Sequence, residues 1–271
     1  MQKSAFLYLT NTLNKSIISE YNALKKAVQK QDRVSFLYDC SNRLPDELKN
    51  FHFHGFRFED AKQHGLPLYN EHSVVPGNTH LPLVDFYLKY PDYKYYWVIE
   101  NDVRFAGNWK KFFATFSSYT EDFLTTHIRW YHEEPQWPRW ELKHPEKEIK
   151  TFQRLRSFNP MYRISNEALA YLIDELRTGW WGHYEVTFPT LIYHSQYKLM
   201  DLGGDSVFTP DALRYRMYTS KTKDKKNLNY GTFRFRPPYY LYGLKRNHLY
   251  HPVKPWKAFV KHYRERVKTY I

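Results

Sequence analysis

Ser4 to Thr10 is a short apolar run of strand-forming residues that stops at Asn11. Within Lys15 to Lys30 the apolar residues Ile17, Ile18, Tyr21, Leu24, Ala27 and Val28 recur at spacings of three and four, which predicts a helix. Arg33 to Tyr38 is a second strand-forming run, broken by Asp39, Cys40, Ser41 and Asn42. Strand, helix and strand in that order predict a βαβ unit. Its right-handed crossover would set two parallel strands side by side, with Asn11 and Asp39 on the same rim. Ligands of open α/β sheets bind on that rim.

Phe51 to Phe58 alternates aromatic residues with His, Gly and Arg, as a half-exposed edge strand does. Asp60 to Thr79 reads as loop, and His80 to Tyr90 as a helix capped by Asn78 or Thr79. Tyr95 to Ile99 is an apolar run suddenly interrupted by Glu100, Asn101 and Asp102. Carboxylates at i and i+2 of a strand point the same way and repel unless a cation lies between them. Mg²⁺ and Mn²⁺ hold substrate diphosphates through such pairs. A plain polar turn is the alternative. Next come a helix over Asn108 to Thr120 and a strand over Asp122 to Trp130. Tyr131 to Lys150 is an irregular Trp-, Pro- and Glu-rich insertion. Arg156 to Ile164 leads into Ser165, the expected cap of a helix over Asn166 to Arg177. An aromatic loop to Glu185 then precedes a helix predicted from Val186 to Met200, closed by Gly203 and Gly204. Asp174, Glu175 and Asp201 are expected at solvent-facing helix positions, and Lys221 to Asn227 as a mobile loop.

Composition narrows the class. The chain has 271 residues, 42% of them hydrophobic and 19% aromatic, which excludes disorder and suits one substantial core. A single cysteine, Cys40, excludes a disulfide framework and a Cys-based zinc site, so a reducing, cytoplasmic setting is expected. No apolar run approaches the roughly 20 residues of a membrane span, and the N-terminus does not read as a secretion signal. The net charge of +13 is concentrated: 16 Lys or Arg against 2 acids from Ala212 onward, compared with 25 against 26 before it. The same C-terminal stretch carries 13 aromatics. A basic aromatic surface favours polyanions, whether nucleic acid, anionic lipid headgroups or a phosphorylated small molecule.

The segment YYWVIENDVRFAGNWKKFF, Tyr95 to Phe113, together with the βαβ opening and a late His, resembles the GT-A type of nucleotide-sugar glycosyltransferase. Glu100 stands where that family's acidic Asp-X-Asp turn has its first Asp. The resemblance implies an α/β, Rossmann-like, mixed and mostly parallel sheet flanked by helices. It implies a catalytic domain over residues 1–211, with a nucleotide-binding half to about 105 and an acceptor-binding half beyond. A basic aromatic extension, 212–271, would pack on the same domain. The implied activity is transfer of a sugar from a nucleotide sugar, UDP-sugars favoured, to a carbohydrate or lipid-linked glycan, with Mn²⁺ or Mg²⁺ as cofactor. Asp102 would ligate the metal, with Glu100 assisting directly, through water or by contacting the ribose. His251, or failing it His248, would complete the metal shell. Arg246 and Lys254 would face the diphosphate, and Asn101, between Glu100 and Asp102 in the turn, would contact the nucleotide sugar. Glu185 matches the acceptor base, and His183 could substitute or assist. Asn11, Asp39, Asn78, Thr79 and His80 are the candidates for nucleotide contact. The tail would hold the enzyme on the inner face of an anionic membrane.

Two rivals are a non-catalytic nucleic-acid binder using the tail and another metal-dependent nucleotide enzyme, such as a nucleotidyltransferase. The first leaves the acidic turn unexplained and is disfavoured. For the second, no Gly-rich phosphate loop is present, and a GxSxG elbow for serine hydrolysis is missing too. An Asp102 turned away from any cleft, or already tied up in an internal ion pair, would undo the whole enzymatic reading.

Overall fold

The computed structural model describes residues 3–41, 44–220, 228 and 230–268. The loop expected at Lys221 to Asn227 lies outside the described residues. The opening βαβ unit forms as its pattern dictates: β1 (Ser4–Thr10), α1 (Lys15–Ala27) and β2 (Arg33–Asp39), with β1 and β2 parallel. Asn14 caps α1, its side chain accepting from Ile17 N, and the helix buries Ile17, Tyr21 and Leu24. β3 (Phe53–Phe56) adds the edge strand. The predicted loop after it contains one short helix, α2 (Phe58–Ala61), before α3 (Leu81–Lys89). Neither Asn78 nor Thr79 caps α3; His80 holds that position without a side-chain cap bond.

The chain continues through β4 (Tyr95–Glu100), β5 (Arg104–Phe105), α4 (Trp109–Phe116) and β6 (Phe123–Trp130). The Tyr131 to Lys150 insertion is mostly irregular and contributes β7 (Leu142–Lys143). Then follow β8 (Leu155–Ser165), α5 (Asn166–Arg177), β9 (Trp181–Gly182), α6 (Tyr184–Tyr193), β10 (Leu199–Asp201), β11 (Leu249–Tyr250) and α7 (Trp256–Lys268). Seven strands make the main sheet in the order β10-β6-β8-β4-β1-β2-β3. Only β8 runs antiparallel to its neighbours, so the sheet is mixed and mostly parallel, as expected of a Rossmann-like α/β fold.

Strand alternation sorts the core into two layers. Ala5, Leu7, Tyr96 and Val98 face a layer with α3, α5 and α6. Phe6, Tyr8, Trp97 and Ile99 face one with α1 and α4. In that second layer Phe113 packs edge-on against Phe6 at 4.8 Å and Trp97 at 5.4 Å. Two readings need correction. The helix expected from Val186 to Met200 ends at Tyr193, because Leu199–Asp201 is extended and pairs in parallel with β6. Asp201 is therefore not at a solvent-facing helix end but fully buried. Its Oδ1 accepts from Gly203 N and Gly204 N at 2.9 and 2.8 Å, and its Oδ2 from Tyr218 Oη at 2.6 Å.

Candidate active site

The central strand β4 ends in the turn Glu100-Asn101-Asp102, and a buried arginine beneath it fixes the turn. Arg104 Nη1 donates to Asn101 O at 2.9 Å and Val103 O at 2.7 Å. Tyr8 Oη donates to the same Asn101 carbonyl at 3.2 Å, and Glu20 Oε2 lies 3.6 Å from Arg104 Nε. Asn101 Nδ2 donates to Thr10 Oγ1 at 2.8 Å, tying the turn to the end of β1. With both carbonyl and side chain engaged, the turn presents Glu100 and Asp102 outward.

The C-terminal segment supplies the other half. β11 pairs antiparallel with β5, Tyr250 opposite Arg104, and Val253 N donates to Asp102 O at 2.8 Å. His251 thereby reaches the turn, its Nε2 3.4 Å from Asp102 Oδ1 and 3.7 Å from Glu100 Oε2. Its Nδ1 lies 2.7 Å from Arg234 O and must donate there, since a carbonyl only accepts. That bond fixes the ring with Nε2 toward the carboxylates, the usual way a ligand histidine is oriented.

Donor atoms of Glu100, Asp102 and His251 lie within 4.8 Å of one another. Lys254 Nζ sits 2.5 Å from Asp102 Oδ2, so one carboxylate oxygen is ion-paired. The other, Oδ1, makes no hydrogen bond among the described residues but has His251 Nε2 3.4 Å away, so the internal ion pairing that would undo the enzymatic reading is present at Oδ2 and, with His251 protonated, reaches Oδ1 too. Two carboxylates and an imidazole this close together could also hold a metal ion, which would have to displace those cations. Burial by itself raises the Asp102 carboxyl, but the His251 and Lys254 cations outweigh it and hold the group well below the usual carboxylate range. Burial works to lower His251, and Asp102 and Glu100 reverse that, raising it to about 9.

A cavity of about 490 Å³ opens from this turn, and its wall includes Thr79, Glu100, Asp102, His183, Glu185, His251 and Lys254. Glu185 stands in the first turn of α6, its Oε1 accepting from Asn159 N at 3.3 Å. Burial pushes its carboxyl up to about 7, against the Arg156 guanidinium and the Asn159 amide; Glu100 adds to the rise. A carboxylate poised near neutrality is suited to accepting a proton. His183 caps α6, and its Nε2 lies 3.1 Å from Arg139 Nη1. Burial first, then Arg139 and Arg156, lower it to about 3, leaving a neutral ring of little basicity. Of the two, Glu185 is the stronger base.

Other candidates lie off the cavity wall. Asn78 is fully buried and organises the loop before it: its Oδ1 accepts from Tyr69 N, and its Nδ2 donates to Asn70 O and Ser73 O. That loop brings Val75, Pro76 and Gly77 to the cavity. His80 is buried against Tyr184 and Phe188, with neither ring nitrogen hydrogen-bonded. It is packing, not wall. Asn11 is exposed on the sheet rim, and Asp39 Oδ1 accepts from Ser41 N and Oγ there. Arg246 is exposed, and His248 Nδ1 faces Arg246 O rather than the carboxylates. Sequence reading missed Arg139, Arg156 and Trp137, which line the cavity. The available signal was Arg156, a charge at the second position of a strand that is buried throughout.

A family described as a protein of unknown function, DUF3405, matches residues 14–125, from the cap of α1 into β6. No curated protein matches the sequence. Among solved structures, the mannosyltransferase Ktr4p from S. cerevisiae is similar at TM-score 0.41 and 16% identity, over 70% of this chain and 65% of that one. A putative glucose-1-phosphate thymidylyltransferase from Bacillus anthracis is similar at TM-score 0.36 and 10% identity, over 62% and 74%. A glycosyltransferase involved in glycosylation of the major capsid of PBCV-1 is similar at TM-score 0.30 and 14% identity, over 65% and 67%.

Proposed function

We propose that this chain is a divalent-metal-dependent glycosyltransferase, moving a sugar from a nucleotide-sugar donor, UDP-sugars favoured, to a carbohydrate or lipid-linked glycan acceptor. One observation carries the reading: the Glu100, Asp102 and His251 cluster shares a cavity with Glu185, a carboxyl that titrates near neutrality. In this reading Asp102 and His251 hold Mn²⁺ or Mg²⁺, with Glu100 beside them. The ion, when bound, supplies Lewis-acid neutralisation of the departing nucleoside diphosphate. Lys254 adds a fixed positive charge at the same place. Glu185 takes the proton of the acceptor hydroxyl, and Thr79 stands on the wall beside the donor. Residues 1–105 form the nucleotide side, 106–211 the acceptor side, and 212–271 close the site through His251 and Lys254.

Isothermal titration with UDP, GDP, CDP and dTDP, each with and without Mn²⁺, tests this. The expected result is UDP binding that needs the metal and disappears in Asp102→Asn. Failure of every nucleoside diphosphate to bind in the presence of Mn²⁺ overturns the reading.

A further inference from the structure

The cavity has a second charged end that the transfer chemistry does not use. Arg156, on β8, is 1% exposed and lines the wall. Its Nε lies 3.0 Å from Glu134 Oε2, but the pair is misaligned, and Arg156 Nη2 has no hydrogen-bond partner among the described residues. The guanidinium also lies over the Trp137 ring at 4.7 Å, which fixes its plane. Arg139, half-buried on the same wall, meets only the neutral His183 ring and has no carboxylate within ion-pair reach among the described residues.

Neighbouring carboxylates do not neutralise this end. Asp205 pairs with Arg129, and Glu134 lies 3.9 Å from Arg129 as well as beside Arg156. Arg129 and Arg156 therefore share Asp205 and Glu134, Arg139 pairs with neither, and Glu185 makes no ion pair with Arg139 or Arg156 among the described residues, so Arg156 Nη2 and the Arg139 guanidinium are left to face the cavity. A buried guanidinium with an unmet N–H is costly. It is also the donor geometry that takes a planar anion through two parallel hydrogen bonds. Glu185 feels both Arg156 and Arg139, so this end belongs to the neighbourhood of the acceptor base.

We propose that Arg139 and Arg156 form an anion-reading subsite on the acceptor side of the cavity, and that the acceptor is an acidic sugar whose carboxylate they hold. The proposal rests on the glycosyltransferase reading for the word acceptor; the anion subsite itself does not. A phosphorylated sugar presents the same charge chemistry, and the test separates the two. The purified protein is titrated with the methyl glycosides of glucuronic acid and glucose, and with glucose 6-phosphate, at concentrations to about 10 mM, well above usual KM values. UDP binding with Mn²⁺ is measured in parallel.

The expected result is glucuronide binding at least about tenfold tighter than the neutral glycoside, the two-hydrogen-bond gain of a charged pair. Arg139→Gln should bring that ratio close to one while leaving metal-dependent UDP binding in place. Arg156→Lys should weaken it also, and Arg139→Gln keeps the test valid if the buried variant fails to fold. Equal affinity for the two glycosides, no binding by any of the sugars, or a preference that survives Arg139→Gln overturns the proposal. A preference for the 6-phosphate over the glucuronide replaces the carboxylate with a phosphate and overturns the acidic-sugar assignment. Discrimination between sugars without any UDP binding would leave the subsite standing and remove the transferase reading.

Discussion

Glu185 is held where burial favours its neutral form, yet the proposed reaction needs it charged. With its pKa raised from 4.5 to about 7, the rate at low substrate should climb about tenfold per pH unit below 7 and level off above it. Glu185→Gln should lose about 10²- to 10⁴-fold in turnover and flatten that profile. The folded pKa lies above the unfolded one, so the native state loses stability as pH rises across 4.5 to 7. Urea denaturation at pH 8 should therefore find Glu185→Gln more stable than the parent, by up to about 3 kcal/mol. A variant both inactive and less stable at pH 8 would mean that the side chain holds the structure instead. Asp201 makes the opposite case. It satisfies three backbone amides, those of Ile128, Gly203 and Gly204, and the Tyr218 hydroxyl deep in the core, away from the cavity wall. Asp201→Ala should cost at least about 3 kcal/mol in the same assay, because buried donors are left unpaired.

The acidic turn depends on a neighbour in sequence, β5, and on a strand far from it, β11. The β5–β11 ladder delivers His251, and Arg104 braces the turn from beneath through Asn101 O and Val103 O. Arg104 touches no cavity atom in this arrangement, so it is a positioning residue. Arg104→Met keeps the packing volume and removes the brace. Mn²⁺ affinity, read by titration, should fall about 10- to 100-fold, as for other supports of metal ligands, while the circular dichroism spectrum is retained. Unchanged affinity would show that the turn needs no brace. Strand and helix periodicity made α1, β1, β2, β4, α4 and α5 legible, since each carries its own apolar stripe and stop signal. β10 was not legible. Three residues carry too little pattern, and pairing with β6 is what extends them.

Charge is divided unevenly along the chain, and the side chains of the C-terminal stretch point two ways. His251 and Lys254 turn inward to the carboxylates, whereas Leu241, Leu244 and Trp256 are 78%, 100% and 56% exposed. Lys245, Arg246 and Lys257 are exposed beside them in sequence. No described helix is long and apolar enough to cross a membrane. Exposed apolar tips among cations suit an anionic bilayer surface, where each Lys or Arg contributes about 1 kcal/mol. Flotation with phosphatidylserine vesicles should carry the protein upward at low salt and release it at high salt. Leu244→Ser should weaken that association without altering UDP binding. Equal flotation with neutral vesicles would remove the electrostatic account.

Local pattern by itself determined the βαβ opening, the acidic end of the central strand, the cap at Ser165 and the basic tail. Each of these depends on residues close together in the chain. Tertiary structure alone decided that His251 rather than His248 meets Asp102, that Asn78 and His80 are buried off the cavity wall, and that Arg139 and Arg156 line the cavity with the proposed base. Those outcomes depend on which distant strands pair and how much water is excluded around each group. Burial shifts Glu185 up and His183 down by the same cause, and no spacing of residues along the chain encodes that depth.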